Sequence, residues 1–235
     1  MANIHFKFGA MNAGKSTQLI QAAFNYKERG MTPLVLKPSV DTRCGAGNIH
    51  ARVGLDIDCI EFGTNDSVWP IVKDNIAVDV VLIDEAQFMT ESQVMDLVIV
   101  AKEYDITVVC YGLKTDFSGN LFVGSAKLLA IADKFEVLKT VCWCGDGATQ
   151  NARVDKNGNM VTVGQSIEVG DVGRYVPLCM KHYARHQPTP KHPENFDAYS
   201  LMINQAYRHE LLGDADESSG DTLSEVDMAR PELAK

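Results

Sequence analysis

The stretch Gly9-Ala10-Met11-Asn12-Ala13-Gly14-Lys15-Ser16 constrains this chain more than any other. It has the form G-x-x-x-x-G-K-[ST], the phosphate-cradling P-loop, and it sits where such a loop belongs. Residues 4–8 alternate apolar and polar, as a short strand would, and Lys15 to Arg29 reads as a helix. Leu19, Ile20, Ala22, Ala23 and Phe24 supply that helix's apolar side, and Gly30 stands where a C-cap is expected. Backbone N–H groups from Gly9 through Gly14 would cradle phosphate oxygens at the helix N-terminus. Lys15 would reach the β- and γ-phosphates of a nucleoside triphosphate, Ser16 would ligate Mg²⁺, and Thr17 completes the phosphate-binding set.

The rest of the first 140 residues supports this frame. Residues 34–37 read as a second strand. Val78-Asp79-Val80-Val81-Leu82-Ile83 is nearly continuous and β-branched, the pattern of a strand buried on both faces of a parallel sheet. A helix over about Glu91–Lys102 and another buried strand over Ile106–Cys110 follow. Strands alternating with helices through residues 4–138 predict an α/β fold, a P-loop domain with a central parallel sheet flanked by helices. The polar, glycine-containing stretch from Pro38 to about Asp58 shows no clear period and reads as one long loop near the site.

The buried run ends in Asp84-Glu85, and a P-loop enzyme needs acid at the end of a buried strand to hold or orient Mg²⁺. Asp84 is the natural Mg²⁺ partner, while Glu85 is free to accept a proton from an attacking hydroxyl. Charge and length set limits on the partners. The formal net charge of −9 argues against holding nucleic acid by broad phosphate neutralisation, though a P-loop can be locally electropositive. No apolar run reaches transmembrane length and no signal-peptide pattern opens the chain, so a cytoplasmic protein without a membrane partner is expected. In that compartment the six cysteines are expected as thiols or metal ligands.

From about Val141 the strand–helix rhythm gives way to cysteine, glycine and short alternating segments. An Asn-Gly pair between Ala152-Arg153-Val154 and Val161-Thr162-Val163 is a strong hairpin signal. Cys142-Trp143-Cys144 and Cys179-Met180-Lys181-His182 offer three thiolates and one imidazole, a Cys₃His set suited to tetrahedral structural Zn²⁺. Such a site would staple a lobe too poor in apolar residues to hold its own core. Cys44, Cys59 and Cys110 lack partner spacing and read as structural. The chain therefore divides into a P-loop α/β nucleotide-binding domain at 1–140, a small zinc-binding domain at 141–186 and a C-terminal extension at 187–235. The extension reads as weakly helical near Phe196–Leu212. Between Glu210 and Ala229 it carries seven acidic residues and no basic one, and reads as disordered.

Taken together, Gly9–Ser16, Asp41-Thr42-Arg43, Asp84-Glu85-Ala86-Gln87-Phe88, Tyr111-Gly112-Leu113-Lys114-Thr115-Asp116-Phe117 and the late cysteine motifs resemble thymidine kinase of the cytosolic, zinc-containing type II class. The similarity spans residues 3–185 and points to a bacterial member. It implies transfer of the γ-phosphoryl group of ATP to the 5′-hydroxyl of thymidine, a homotetramer, and feedback inhibition by dTTP. Glu85 then matches the general base and Asp84 the Mg²⁺-associated carboxylate. Arg43 matches a basic residue near the phosphates, and Gln87 falls with the phosphate-binding set. Met11, Leu113, Phe117 and Phe122 fall where the family lines its base pocket, and Phe88 can add to that apolar slot. Tyr175, in Gly173-Arg174-Tyr175-Val176, matches a tyrosine of the lasso loop that closes over thymidine, so the 141–186 domain is also a lasso domain. One departure concerns the metal: many family members carry two C-x-x-C pairs, whereas this chain has C-x-C and C-x-x-H.

Two other classes compete. A nucleic-acid-stimulated ATPase is suggested by Asp84-Glu85-Ala86-Gln87, which resembles a DExx box. Such motors need two P-loop-type lobes and a basic track, whereas this chain has one P-loop and a negative net charge. A non-catalytic ATP-binding zinc module is the other, and the intact Asp84 and Glu85 weigh against it. ATP consumption with thymidine or with single-stranded DNA separates the three.

Overall fold

The four residues Val80–Ile83 are fully buried at every position. Successive strand side chains point to opposite faces, so a strand with no polar face needs cover on both. That cover is present in the computed structural model, which describes residues 1–41, 47–75, 77–155, 157–162, 164 and 174–189. In chain order the first elements are β1 (Ile4–Phe8), α1 (Lys15–Glu28), β2 (Pro33–Pro38), β3 (Asn48–Ala51), β4 (Leu55–Asp58) and β5 (Ile60–Phe62). There follow α2 (Val68–Asp74), β6 (Val80–Ile83), α3 (Glu91–Lys102), β7 (Thr107–Gly112), α4 (Val123–Ile131) and β8 (Lys134–Val137).

Six strands form one sheet in the order β5-β2-β6-β7-β1-β8, and every pairing is parallel. Its two faces divide by residue parity. Leu34, Leu36, Val81, Ile83, Val108 and Cys110 join one core with Val68 and Val72 of α2, Val94 and Leu97 of α3, and Leu128 of α4. The intervening Val35, Val80, Leu82, Val109 and Tyr111 join a second core with Leu19, Ile20 and Ala23 of α1. Period-2 alternation in three adjacent strands thus builds three layers, helices either side of a sheet, the α/β class read from the sequence. Local signals set the helix starts. Thr90 and Gln93 form a reciprocal capping box at α3, and Asp96 Oδ2 accepts from Val68 N at 2.7 Å to cap α2.

One expectation is overturned. Pro38–Asp58 is not a single aperiodic loop, because β3 and β4 pair antiparallel through Ile49↔Ile57 and Ala51↔Leu55. Buried Ile49 and Ala51 lie in the α1-side core. The hairpin's stability comes from that packing, which a weak local alternation does not announce.

The later elements are β9 (Thr140–Val141), β10 (Gly147–Ala148), β11 (Gln150–Val154), β12 (Met160–Val161), β13 (Arg174–Leu178) and α5 (Met180–Ala184). The expected Asn-Gly hairpin is present as β11 and β12, with Arg153 opposite Val161, and β13 pairs on the other side of β11. Residues 1–191 group as one unit and 192–235 as another. The expected helix near Phe196–Leu212, the acidic tail, Arg43, Cys44 and Val163 lie outside the described residues.

Candidate active site

Ligands of open α/β sheets bind at the carboxyl ends of the strands. Here the neighbouring strands β1, β6 and β7 end in the glycine loop, in Asp84-Glu85 and in Gly112-Leu113. The loop turns at Asn12 with φ 65° and at Gly14 with φ 73°, left-handed conformations that asparagine tolerates and glycine adopts freely. Lys15 is buried, and its Nζ donates to the carbonyl oxygens of Ala10 at 3.0 Å and Gly9 at 3.4 Å. Ser16 Oγ donates to Asp84 Oδ2 at 2.7 Å, so the helix start and the end of β6 are directly joined.

The carboxylate pair is electrostatically uneasy. Burial and the adjacent Glu85 charge push the Asp84 carboxyl up from 3.8 to about 7, against the hydrogen bonds from Ser16 and the Glu85 backbone and the charge of Lys15. A desolvated acid pair of this kind favours a cation beside it. Glu85 itself is buried with φ 49°, a conformation that costs about 1–3 kcal/mol in a residue that is not glycine. That left-handed turn starts the single helical turn Ala86–Phe88 and brings Gln87 back onto Glu85. Gln87 Nε2 donates to Glu85 Oε2, while Gln87 Oε1 accepts from Leu113 N at 3.0 Å. Gly112 permits this approach, since a Cβ there would lie 2.7 Å from Gln87 Oε1. Both ends of the Gln87 amide are therefore engaged within the protein, although the sequence grouped this residue with the phosphate binders.

The expected pocket residues lie on the surrounding elements. Half-buried Phe88 and Phe122 meet edge to face with centroids 5.8 Å apart. Leu113 is half-buried, and its carbonyl accepts from Ser125 Oγ at 2.5 Å. Phe117 is 2% exposed, with the Arg153 guanidinium 5.1 Å from its ring centroid and its carbonyl accepting from Tyr183 Oη at 2.8 Å. Met11 N donates to Asn151 Oδ1 of β11 at 2.8 Å, tying the glycine loop to the later lobe. Half-buried Tyr175 on β13 stands opposite Arg153. Asn151, Arg153, Tyr183 and Ser125 were not singled out from the sequence. Each acts across a long stretch of chain, and no local motif marks it.

Cys142, Cys144, Cys179 and His182 do converge, with all four ligand atoms within 4.8 Å of one another. Cys144 Sγ lies 3.9 Å from Cys179 Sγ, and His182 Nδ1 lies 3.2 Å from Cys179 Sγ and 3.6 Å from Cys142 Sγ. Tetrahedral zinc with bonds of about 2.3 Å to sulfur has edges of roughly 3.8 Å, so these residues fit that ion. The short C-x-C spacing is accommodated by a turn in which Gly145 N donates to Cys142 O at 2.9 Å. Trp143 covers the set, its ring 4.1 Å from the His182 ring.

Comparison with known proteins agrees with this arrangement. The family model described as thymidine kinase matches residues 2–183. A Zymomonas mobilis protein named thymidine kinase is 46% identical over 186 residues, 78% of this chain and 96% of its own length. Its namesakes from Idiomarina loihiensis and Escherichia coli K12 are 47% and 44% identical over the same share of this chain, covering 96% and 91% of their own lengths. With the family model covering most of the chain and these relatives aligned along nearly their full length, the chain belongs to the thymidine kinase family.

Proposed function

We propose that this chain transfers the γ-phosphoryl group of ATP to the 5′-hydroxyl of thymidine, giving dTMP and ADP. The observation that carries the reading is the joined set of Lys15, Ser16, Asp84, Glu85 and Gln87 at the strand ends. Phosphoryl transfer asks a protein mainly for positioning and charge stabilisation. Lys15 would exchange its carbonyl partners for β- and γ-phosphate oxygens, beside the N–H groups of Gly9 through Gly14. Thr17 follows on the first turn of α1. Ser16 and Asp84 would hold the Mg²⁺ that accompanies ATP, and this ion supplies charge neutralisation at the phosphates when bound. Glu85 accepts the proton as the 5′-oxygen forms its bond to the γ-phosphorus and the bond to the ADP oxygen breaks. Gln87 keeps the Glu85 carboxylate turned toward that hydroxyl. Met11, Phe88, Leu113, Phe117, Phe122 and Tyr175 form the thymidine slot, and Arg43 adds positive charge near the phosphates.

Cys142, Cys144, Cys179 and His182 would hold a structural zinc at the start of α5, where Tyr183, the residue after His182, donates to the Phe117 carbonyl. Tyr183→Phe removes that single hydrogen bond, worth about 0.5–1.5 kcal/mol. The expected result is a thymidine KM raised about two- to tenfold, with the ATP KM and a zinc content near one per chain both unchanged. An unaltered thymidine KM would remove the brace from the account. Metal-free protein purified without chelator would remove the zinc.

The same reading includes a homotetramer, feedback inhibition by dTTP and a cytoplasmic location. Among the described residues no helix is long and apolar enough to cross a membrane. ATP consumption that depends on thymidine supports the reading, and consumption stimulated by single-stranded DNA instead would replace it with the motor alternative.

A further inference from the structure

We propose that Arg52 is a further cation of the triphosphate site, delivered to the glycine loop by the β3–β4 hairpin. The assignment rests on the reading of Gly9–Ser16 as the ATP site. Arg52 stands at the turn of the hairpin, directly after Ala51, which is 2% exposed. Ala51 and Ile49 share one core with Leu19 and Ile20 of α1 and with Ala13 of the glycine loop itself. The hairpin is thus seated on the same packed unit as the loop, and the backbone position of Arg52 is set by its buried neighbour.

From there Arg52 Nη1 donates to Asn12 Oδ1 at 2.5 Å, across 40 residues of sequence. Asn12 presents its amide from a left-handed backbone turn at φ 65°. Among the described residues no carboxylate pairs with this guanidinium, in a chain whose net charge is −9. Among those residues its charge is therefore not spent on an ion pair. Arg52 thus stands beside the loop on a neutral acceptor, the Asn12 amide oxygen.

An anionic phosphate oxygen is a better acceptor for a guanidinium than an amide oxygen, because it adds charge–charge attraction to the hydrogen bond. A bound triphosphate therefore draws the Arg52 guanidinium onto itself. The planar guanidinium suits this role, since its parallel N–H groups match two phosphate oxygens at once. Because Arg52 is exposed, exchanging Asn12 for phosphate requires side-chain rotation only and leaves the hairpin in place.

Equilibrium binding of Mg·ATP and of thymidine to the full chain carrying Arg52→Gln or Arg52→Lys tests this. Arg52→Gln is expected to weaken ATP about tenfold or more, the usual loss for a hydrogen bond to a charged group. Thymidine affinity and Tm should stay at wild-type values, and Arg52→Lys should recover part of the lost ATP affinity. ATP binding within about twofold of wild type in Arg52→Gln overturns the assignment. So does an equal loss of ATP and thymidine affinity with a lowered Tm, which marks Arg52 as a hairpin latch only. Binding is read without turnover, so wild-type chain that binds ATP yet leaves thymidine unphosphorylated defeats the kinase reading and not this one.

Discussion

Glu85→Gln is expected to cut kcat by about 10²–10⁴ while ATP and thymidine still bind, the usual worth of a positioned general base. The substitution is nearly isosteric and removes only the basicity. Gln87 Nε2 can keep donating to the remaining carbonyl oxygen at position 85, and Gln87 Oε1 keeps its bond from Leu113 N. The left-handed backbone at φ 49° is also retained, since glutamine and glutamate bear it equally. Loss of turnover with intact binding therefore isolates proton acceptance from architecture. The measurement is single-turnover phosphorylation together with binding of both substrates. Near-wild-type turnover would remove Glu85 from the mechanism, whereas loss of binding would make its role positional.

The second large effect separates stability from activity at the neighbouring residue. Asp84→Asn can keep both local hydrogen bonds, accepting from Glu85 N and donating toward Ser16 Oγ, but carries no charge. In the wild type, burial and the Glu85 charge raise the Asp84 carboxyl to about 7 in the folded chain. The unfolded chain ionises near the ordinary value of 3.8, so it gives up its proton first as pH rises. Below that value both forms are protonated and nothing is lost. Between it and about 7 the folded state loses stability progressively, and above 7 the whole penalty is present. Asparagine escapes the penalty. The nucleotide- and magnesium-free variant should therefore match wild type near pH 4 and exceed it near pH 8, by up to about 4 kcal/mol or roughly 8–16 °C in Tm. Turnover should fall by about 10–100-fold, because one of the two residues proposed to hold Mg²⁺ loses its charge. A variant less stable than wild type near pH 8 would contradict the electrostatic description of the pair.

Much of this was legible in the sequence because it depends on local pattern. The glycine loop, the apolar run Val78–Ile83 with its acidic end, the α3 boundaries and the Asn-Gly hairpin each carry their signal within a few residues. The Cys₃His set is nearly as local, two short motifs whose chemistry requires them to meet. What was not legible depends on long-range contact. The β3–β4 hairpin has short strands with only Ile49 and Ala51 turned fully inward, and it exists because α1 covers them. Asn151, Tyr183 and Arg52 are ordinary polar residues whose partners lie 140, 66 and 40 positions away. Gln87 was visible as part of a motif, but its orientation toward Glu85 follows from the left-handed turn between them, which no residue type announces.

A proton-accepting Glu85, an engaged Gln87 and a slot of apolar side chains would together suit one neutral nucleoside and one anionic nucleotide. The most direct test is product formation from ATP across a panel of nucleosides, with the phosphorylated product identified by chromatography and the single-stranded DNA control run alongside. Stoichiometric dTMP and ADP are expected, with thymidine as the favoured acceptor and no stimulation by DNA. ATP hydrolysis that ignores thymidine, or a product in which the nucleoside is unmodified, would contradict it.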